Sequence, residues 1–135
     1  MRYMFDGMRV PGAKVPAPNE RFLKVLLSPE LGSTDKFTLL YSIISPKNGT
    51  GEHAHDSDEI MYVATGRGEG VVGNEKSELK EGTVIFAPNR IKHHITNTGD
   101  ETLKIVCFYI PALKPAGYFA EAAEMAKQYF SSMGR

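Results

Sequence analysis

Short stretches rich in β-forming residues recur from residue 22 to residue 110. Apolar, β-branched and aromatic side chains dominate them, and Gly, Pro, Asn and Asp separate one stretch from the next. Short strands with turn residues at such intervals are typical of a β-sandwich or a closed barrel. The pattern predicts an all-β domain with strands at Phe22–Leu27, Phe37–Ser45, Ile60–Thr65, Gly70–Val72, Thr83–Ala87, His94–Asn97 and Thr102–Ile110.

The last of these stretches has an unbroken run of apolar residues from Ile105 to Ile110. A half-buried strand alternates apolar and polar residues, whereas a strand covered on both sides is a continuous apolar run. We therefore expect this strand to be buried on both faces.

The two ends of the chain differ from the middle. Residues 1–20 carry three prolines and no periodicity, which predicts an extended arm, because proline lacks the hydrogen-bond donor of a sheet. Residues 113–135 contain an amphipathic helix from Gly117 to Ser131. We expect residues 21–112 to form the barrel and the helix to pack on it or across a dimer interface. The arm would lie over a partner subunit.

Four side chains of types that bind metals lie in two short segments. His53 and His55 are two residues apart, so on an extended strand both imidazoles point to the same side. Glu59 follows shortly after them, and His93 lies in the second segment. Three imidazoles and one carboxylate suit a divalent transition metal such as Fe, Mn, Co, Ni, Cu or Zn. We expect one such ion per chain.

The two segments resemble the two signature motifs of the cupin superfamily, and the resemblance covers residues 37–112. The first segment reads His-x-His-x3-Glu-x6-Gly, and the second reads Gly-x5-Pro-x4-His-x3-Asn. Lys47 and Arg90 depart from the family pattern, because they stand where the motifs usually have glycine. The matching residues are His53, His55, Glu59 and Gly66 in the first motif, and Gly82, Pro88, His93 and Asn97 in the second.

This resemblance implies a double-stranded β-helix, the cupin jelly-roll barrel, with a metal ion in its mouth held by His53, His55, Glu59 and His93. It also favours a homodimer. The arm and the aromatic helix point the same way, because a small barrel does not bury such apolar surfaces alone. The resemblance does not select a reaction, since cupins include dioxygenases, isomerases, decarboxylases, lyases, epimerases and non-enzymatic binders.

Candidate pocket residues follow from the strand faces. Met61 and Val63 share the face of Glu59, and Phe86 and Tyr109 are further candidates for the substrate pocket. Plain core packing explains each of these residues at least as well. For residues 37–45 two alternatives stay open, either Leu40 and Ser42 or Tyr41 and Ile43.

Three other residues have weaker claims to a functional role. His94 follows a predicted ligand directly, and adjacent strand residues face opposite sides, so we place it outside the metal site. Arg67 and Arg90 are candidates to pair with a substrate carboxylate. Exposure in a turn is the commoner role for such arginines.

Composition excludes two classes of partner. The chain has 135 residues, sixteen basic and sixteen acidic, and a formal net charge of +0, which gives no electrostatic reason to bind nucleic acid. No run approaches the roughly 20 apolar residues that span a bilayer, so we expect no membrane association. The single cysteine, Cys107, cannot form an internal disulfide, which favours the reducing cytoplasm.

These features favour a metal-dependent enzyme that acts on a small organic acid, sugar or aromatic metabolite. It would be a dioxygenase, or an isomerase, lyase or decarboxylase that uses the metal as a Lewis acid. The alternative is a non-catalytic protein that uses the metal to bind a small molecule. A second titratable residue facing the metal would distinguish the two, and the sequence places none there.

Overall fold

The computed structural model describes residues 2–133 as an all-β fold followed by one α-helix, which confirms the predicted fold class. Residue 1 of the predicted arm and residues 134 and 135 of the predicted C-terminal segment lie outside the described residues. The elements are β1 (Ala13–Val15), β2 (Arg21–Leu27), β3 (Thr38–Ile44), β4 (Asp58–Thr65), β5 (Gly68–Val72), β6 (Glu75–Leu79), β7 (Val84–Ala87), β8 (His93–Thr96), β9 (Leu103–Ile110) and α1 (Gly117–Ser132).

The strands form two antiparallel sheets. The larger sheet has six strands in the order β1-β2-β3-β9-β4-β7, and the smaller has three in the order β6-β5-β8. Residues 49 and 53 form isolated bridges to β8 and so extend the smaller sheet. Because β4 and β9 are neighbours, residues some fifty positions apart lie side by side, as Glu59 and Tyr109 do.

Alternation along the strands decides which residues form the core. In β3 every second residue from Thr38 to Ile44 is buried, and the residues between them are half-buried. β9 alternates in the same way, so its expected burial on both faces is wrong for the outer face. Its outward residues are half-buried, and Ile110 at its end is 47% exposed.

Two strands lack the expected sequence pattern. β1 lies inside the proline-bearing arm and pairs with β2. Val10, Ala13 and Val15 are buried, so this part of the arm packs on its own barrel. β6 is almost entirely polar and exposed, and it forms a hairpin with β5.

The C-terminal helix packs against β1 and β2. Its apolar face is covered by its own chain, so it does not offer the free surface that the homodimer hypothesis assigned to it. Neither this helix nor any other in residues 2–133 is long and apolar enough to cross a membrane. The buried residues of the helix are Phe119, Ala122, Ala123, Ala126 and Phe130.

Candidate metal centre

The four predicted ligands converge inside the barrel between the two sheets. Glu59 lies on the inward face of β4 in the larger sheet, and His93 on the inward face of β8 in the smaller sheet. His53 bridges to His93, and each backbone N–H donates to the other residue's carbonyl at 3.0 and 2.9 Å. With His55 included, the four candidate ligand atoms lie within 4.8 Å of one another.

Backbone carbonyls orient two of the imidazoles. Nδ1 of His53 lies 2.8 Å from the carbonyl oxygen of Gly51, and Nδ1 of His93 lies 2.9 Å from that of Ile91. An Nδ1–H that donates to a carbonyl leaves Nε2 with its lone pair free, and this is the form in which histidine binds a metal. The local backbone therefore selects the tautomer that the centre needs.

Glu59 supplies the negative charge of the centre. Its Oε1 lies 2.9 Å from Nε2 of His93 and 3.4 Å from Nε2 of His55. Glu59 and His93 are each only 2% exposed, so little water competes for these contacts. Three imidazoles and one buried carboxylate whose candidate ligand atoms lie this close together fit a borderline divalent transition metal.

The protonation states of the centre follow from burial and these contacts. Burial raises the pKa of Glu59, but hydrogen bonds to His55 and His93 outweigh it and lower the pKa to about 2. For His93 burial lowers the pKa, yet the hydrogen bond to Glu59 leaves it raised above the ordinary 6.5. Burial lowers the pKa of His53 to about 4. At neutral pH Glu59 is anionic and His53 neutral, as metal binding requires.

Two residues other than glycine take left-handed backbone conformations in the loops beside the centre. Lys47 and Arg90 have φ angles of 65° and 68°, in the left-handed region that glycine favours. The backbone N–H of Arg90 donates to the carbonyl of His55 at 2.8 Å, and this bond holds the ligand loop. Gly66 must be glycine, because a Cβ there would lie 2.6 Å from the carbonyl oxygen of Thr102.

The residues with weaker claims lie outside the centre. His94 is half-buried and pairs with Val71, and His93 takes the inward position beside it. Arg90 is exposed and its Nε donates to Asp56 at 3.2 Å. Arg67 lies away from the cavity, in the turn between β4 and β5.

A cavity of about 230 Å³ adjoins the candidate ligands. Its walls come from both sheets, with residues near the start of α1 closing one side. Leu40 and Ser42 face it, while Tyr41 and Ile43 point the other way, which settles the alternatives that parity left open.

The four predicted pocket residues lie in three different environments. Met61 and Tyr109 line the cavity. Val63 has the same inward direction but lies fully buried in the core, outside the cavity wall. The prediction that Phe86 lines the pocket is wrong, because its side chain is 54% exposed on the outer face of β7. Its two neighbours in β7 take the inward positions.

Sequence reasoning missed four cavity residues with polar side-chain groups, Arg21, Thr50, Cys107 and Tyr118. Arg21 is the first residue of β2 and is in phase with Leu23 and Val25, so strand parity was a signal that could have found it. Thr50 lies in the irregular segment before His53, where no periodicity applies.

Two weakly acidic groups lie beside the Glu59 carboxylate. Burial, together with the nearby charge of Glu59, raises the pKa of the Tyr109 hydroxyl and of the Cys107 thiol well above their ordinary values. Both groups therefore keep their protons at neutral pH and act as hydrogen-bond donors. The ring of Tyr109 also packs edge-on against that of His55, with centroids 5.2 Å apart.

The model of the cupin domain matches residues 40–109, just over half of the chain and including all four candidate ligands. The chain belongs to the cupin superfamily. Its two sheets are the two halves of the double-stranded β-helix, and its candidate metal centre lies between them.

Curated relatives support the same membership. An uncharacterised protein of Methanocaldococcus jannaschii is 37% identical over 90 residues, which cover 66% of this cupin and 72% of the relative. The polyketide synthase CurC of Streptomyces cyaneus is 33% identical over 112 residues, or 79% of this chain and 71% of the relative. Protein SchB of Streptomyces halstedii is 28% identical and shares 73% of each chain.

Solved structures show the same fold at lower identity. A Thermotoga maritima protein, described as a predicted oxalate decarboxylase, superposes with a TM-score of 0.72 at 22% identity, over 80% of this chain and 98% of its own. KdgF from Halomonas sp. superposes with a TM-score of 0.67 at 21% identity, over 82% and 94%. At such identities the comparison establishes the fold alone.

Proposed function

We propose that this cupin is a metal-dependent enzyme acting on a small organic acid or aromatic metabolite. The observation that carries the proposal is the cluster of His53, His55, Glu59 and His93 beside a cavity that the first three of these residues line together with Tyr109. The bound ion would supply a Lewis acid that stabilises negative charge on a substrate oxygen, or a redox centre for oxygen chemistry.

The protein's own groups would handle the proton and the substrate. The protonated Tyr109 hydroxyl is a donor to an oxygen or carbon that gains negative charge. Met61, Leu40 and Ile105 give the cavity an apolar wall that would hold a carbon skeleton and exclude water. Tyr109 is therefore a titratable residue beside the metal site in addition to the candidate ligands. This feature favours an enzyme over a non-catalytic binder.

Among substrate classes, the relative named as a polyketide synthase favours compounds with several carbonyl groups. A C–H between two carbonyls is acidic, and transfer of its proton to solvent water leaves negative charge on a carbonyl oxygen, where a Lewis acid acts. We therefore propose Lewis-acid chemistry on a carbonyl-bearing acid or aromatic compound as the leading reaction class, with dioxygen chemistry as the second.

The test uses acetoacetate, a small acid with such a C–H. Zinc-loaded protein in D₂O should exchange the C2 protons faster than free zinc does, as followed by NMR. Tyr109→Phe should slow the exchange about 100-fold, a typical effect of losing a general acid, with zinc content unchanged. Tyr62→Phe, on the exposed outer face of β4, is the matched control.

A parallel measurement separates the alternatives. Oxygen uptake by Fe(II)-loaded protein with the same acid, without exchange by the zinc form, would favour a dioxygenase. Metal-loaded protein that binds the acid but supports neither reaction would favour the non-catalytic reading. Absence of metal binding under any loading would refute the proposed function.

A further inference from the structure

Arg21 brings an uncompensated positive charge to the cavity. Its side chain lines the cavity together with His53 and Glu59, and it is only partly exposed. One of its five N–H donors is satisfied, by the carbonyl of Asn19 at 3.0 Å. Within residues 2–133 no carboxylate forms an ion pair with it.

A partly buried guanidinium raises the free energy of the folded protein unless a hydrogen-bond acceptor or a negative charge stabilises it. Burial lowers the pKa of Arg21, which is the sign of a charge removed from water, and the neighbouring Tyr109 and Cys107 oppose that shift only in part. A partly buried charge loses part of its hydration, so a negatively charged partner at that position is favourable. The Arg21 donors that Asn19 does not use are available to an anion that enters the cavity.

A second polar group of the same cavity also lacks a partner. The Ser42 Oγ is buried and has no hydrogen-bond partner within residues 2–133, because its neighbours in the wall, Leu23 and Ile105, are apolar. Buried hydroxyls are nearly always hydrogen-bonded in native proteins. An oxygen-bearing ligand would satisfy both groups, whereas a hydrocarbon would satisfy neither.

The charge balance of the cavity favours a ligand with two acidic oxygens. Arg21 and a divalent ion would bring three positive charges, and among the lining residues Glu59 supplies one negative charge. A monoanion leaves one charge uncompensated. A compound with a carboxylate and a second ionisable oxygen neutralises the site.

We propose that Arg21 is the anion-binding residue of the cavity and that the ligand is a small organic acid. Its carboxylate pairs with the Arg21 guanidinium, and a second acidic oxygen faces the cluster of His53, His55, Glu59 and His93. At about 230 Å³ the cavity exceeds the roughly 150 Å³ that holds benzene, which admits a short diacid or a single-ring hydroxy acid. This inference rests on the proposed function, since it deepens the same site.

The test measures binding rather than turnover. Cobalt-loaded protein is titrated calorimetrically with malonate, succinate, glutarate, adipate and salicylate, and the cobalt spectrum reports the metal site independently. Arg21→Gln should weaken the tightest acid about 10- to 100-fold, the usual worth of a charge-assisted hydrogen bond. Arg21→Lys keeps the positive charge but loses the paired N–H donors of the guanidinium, so its affinity should lie between those of wild type and Arg21→Gln.

Two controls separate anion binding from structural support. Arg67→Gln removes an arginine outside the cavity and should leave every affinity unchanged. Without ligand, Arg21→Gln should melt at or above the wild-type temperature, because it removes an uncompensated charge. A clearly lower melting temperature would assign Arg21 a structural role and overturn the proposal.

The remaining outcomes are equally decisive. Equal affinities of wild type and Arg21→Gln, or no binding of any of these acids by wild type at 10 mM, would overturn the proposal. If cobalt does not bind, the proposed function fails, and the same titration of metal-free protein decides the role of Arg21 by itself.

Discussion

Two loop residues, Lys47 and Arg90, hold left-handed backbone conformations that cost a non-glycine residue about 1–2 kcal/mol. Each is held there by its own contacts. Lys47 donates through its backbone to Asn97 at 3.0 Å and through Nζ to the carbonyl of Thr98 at 2.8 Å. Arg90 is tied to the His55 carbonyl, so the strain lies directly beside a candidate ligand.

Glycine at position 90 should relieve this strain. Arg90→Gly and Arg90→Ala both remove the exposed ion pair with Asp56, which contributes little. Only the glycine variant also relaxes the backbone, so it should be more stable than the alanine variant by about 1 kcal/mol. Urea unfolding of the pair measures the difference. Equal stabilities would show that the φ of 68° carries no strain.

Adjacent histidines provide a second comparison at the residue scale. His93→Ala should remove most metal binding, because it deletes a buried ligand. His94→Ala should leave metal binding almost intact, since its imidazole lies on the other side of β8. Elemental analysis after loading both variants with zinc is the measurement. Equal losses of zinc would contradict the assigned strand register.

The sequence was more informative about the ligands than about the pocket, and the reason is physical. Ligand spacing is local along the chain, so the positions of His53, His55 and Glu59 could be predicted from one segment. Pocket walls depend on which face of each strand turns inward. For β7 that parity is a property of the whole barrel, and it placed Phe86 outside. Arg21 was missed for another reason, because the predicted strand began at Phe22 and β2 begins one residue earlier.

At the element scale, two strands form without a sequence pattern of their own. β6 has four exposed residues out of five and is held by its pairing with β5. β1 is a three-residue strand that pairs with β2 and packs under α1. Both depend on partners that are made elsewhere in the fold, so hydrophobic periodicity within the segment could not reveal them.

The helix contributes a prediction of its own, because Phe119 belongs both to its buried face and to the cavity wall. Phe119→Ala should lower the free energy of unfolding by about 3 kcal/mol, the low end for a buried phenylalanine. Tyr118→Ala, 43% exposed next to it, should cost well under half of that. Thermal melts of both variants give the comparison. A small loss for Phe119→Ala would mean that α1 is loosely attached.

For the whole molecule, metal binding should stabilise the fold in a pH-dependent way. Protons compete first at His93, whose pKa is raised above 6.5, and at His53 only near pH 4. As pH falls through the pKa of His93, metal affinity should fall about tenfold per unit, because one proton is displaced. Metal at a hundred times its dissociation constant adds roughly 2.7 kcal/mol at pH 7.5.

Most of the stabilisation by bound metal should be lost at pH 5. Thermal melts of metal-free and metal-loaded protein at both pH values measure this loss. The metal-free barrel should remain folded, because its apolar core does not depend on the ion. Without metal, the raised pKa of His93 stabilises the fold below about pH 6.5. The lowered pKa of His53 opposes this, with a destabilisation that grows as pH falls from about 6.5 to about 4 and remains below it. A metal increment unchanged at pH 5 would count against this centre.

The molecule also has an apolar surface that residues 2–133 leave exposed. It lies on the outer face of the larger sheet, where Ile60 pairs with Phe86 and Tyr62 with Val84. Their exposures run from 42% to 66%. We propose that this outer face, rather than the arm or the helix, is the contact between two copies of the chain. Aromatic residues are typical of interface centres, and a net charge of +0 avoids repulsion between copies.

Light scattering during size-exclusion chromatography tests this surface against the arm. Wild type at micromolar concentration should be a dimer, related by a two-fold axis that brings the same patch from each copy together. Phe86→Glu places a charge in the patch of each copy and should yield monomer with an unchanged melt of the barrel, since its side chain is 54% exposed. Tyr3→Glu, 91% exposed in the arm, should leave the dimer intact. A dimer that persists in Phe86→Glu but is lost in Tyr3→Glu would show that the arm forms the interface. A monomeric wild type would contradict the proposed dimer.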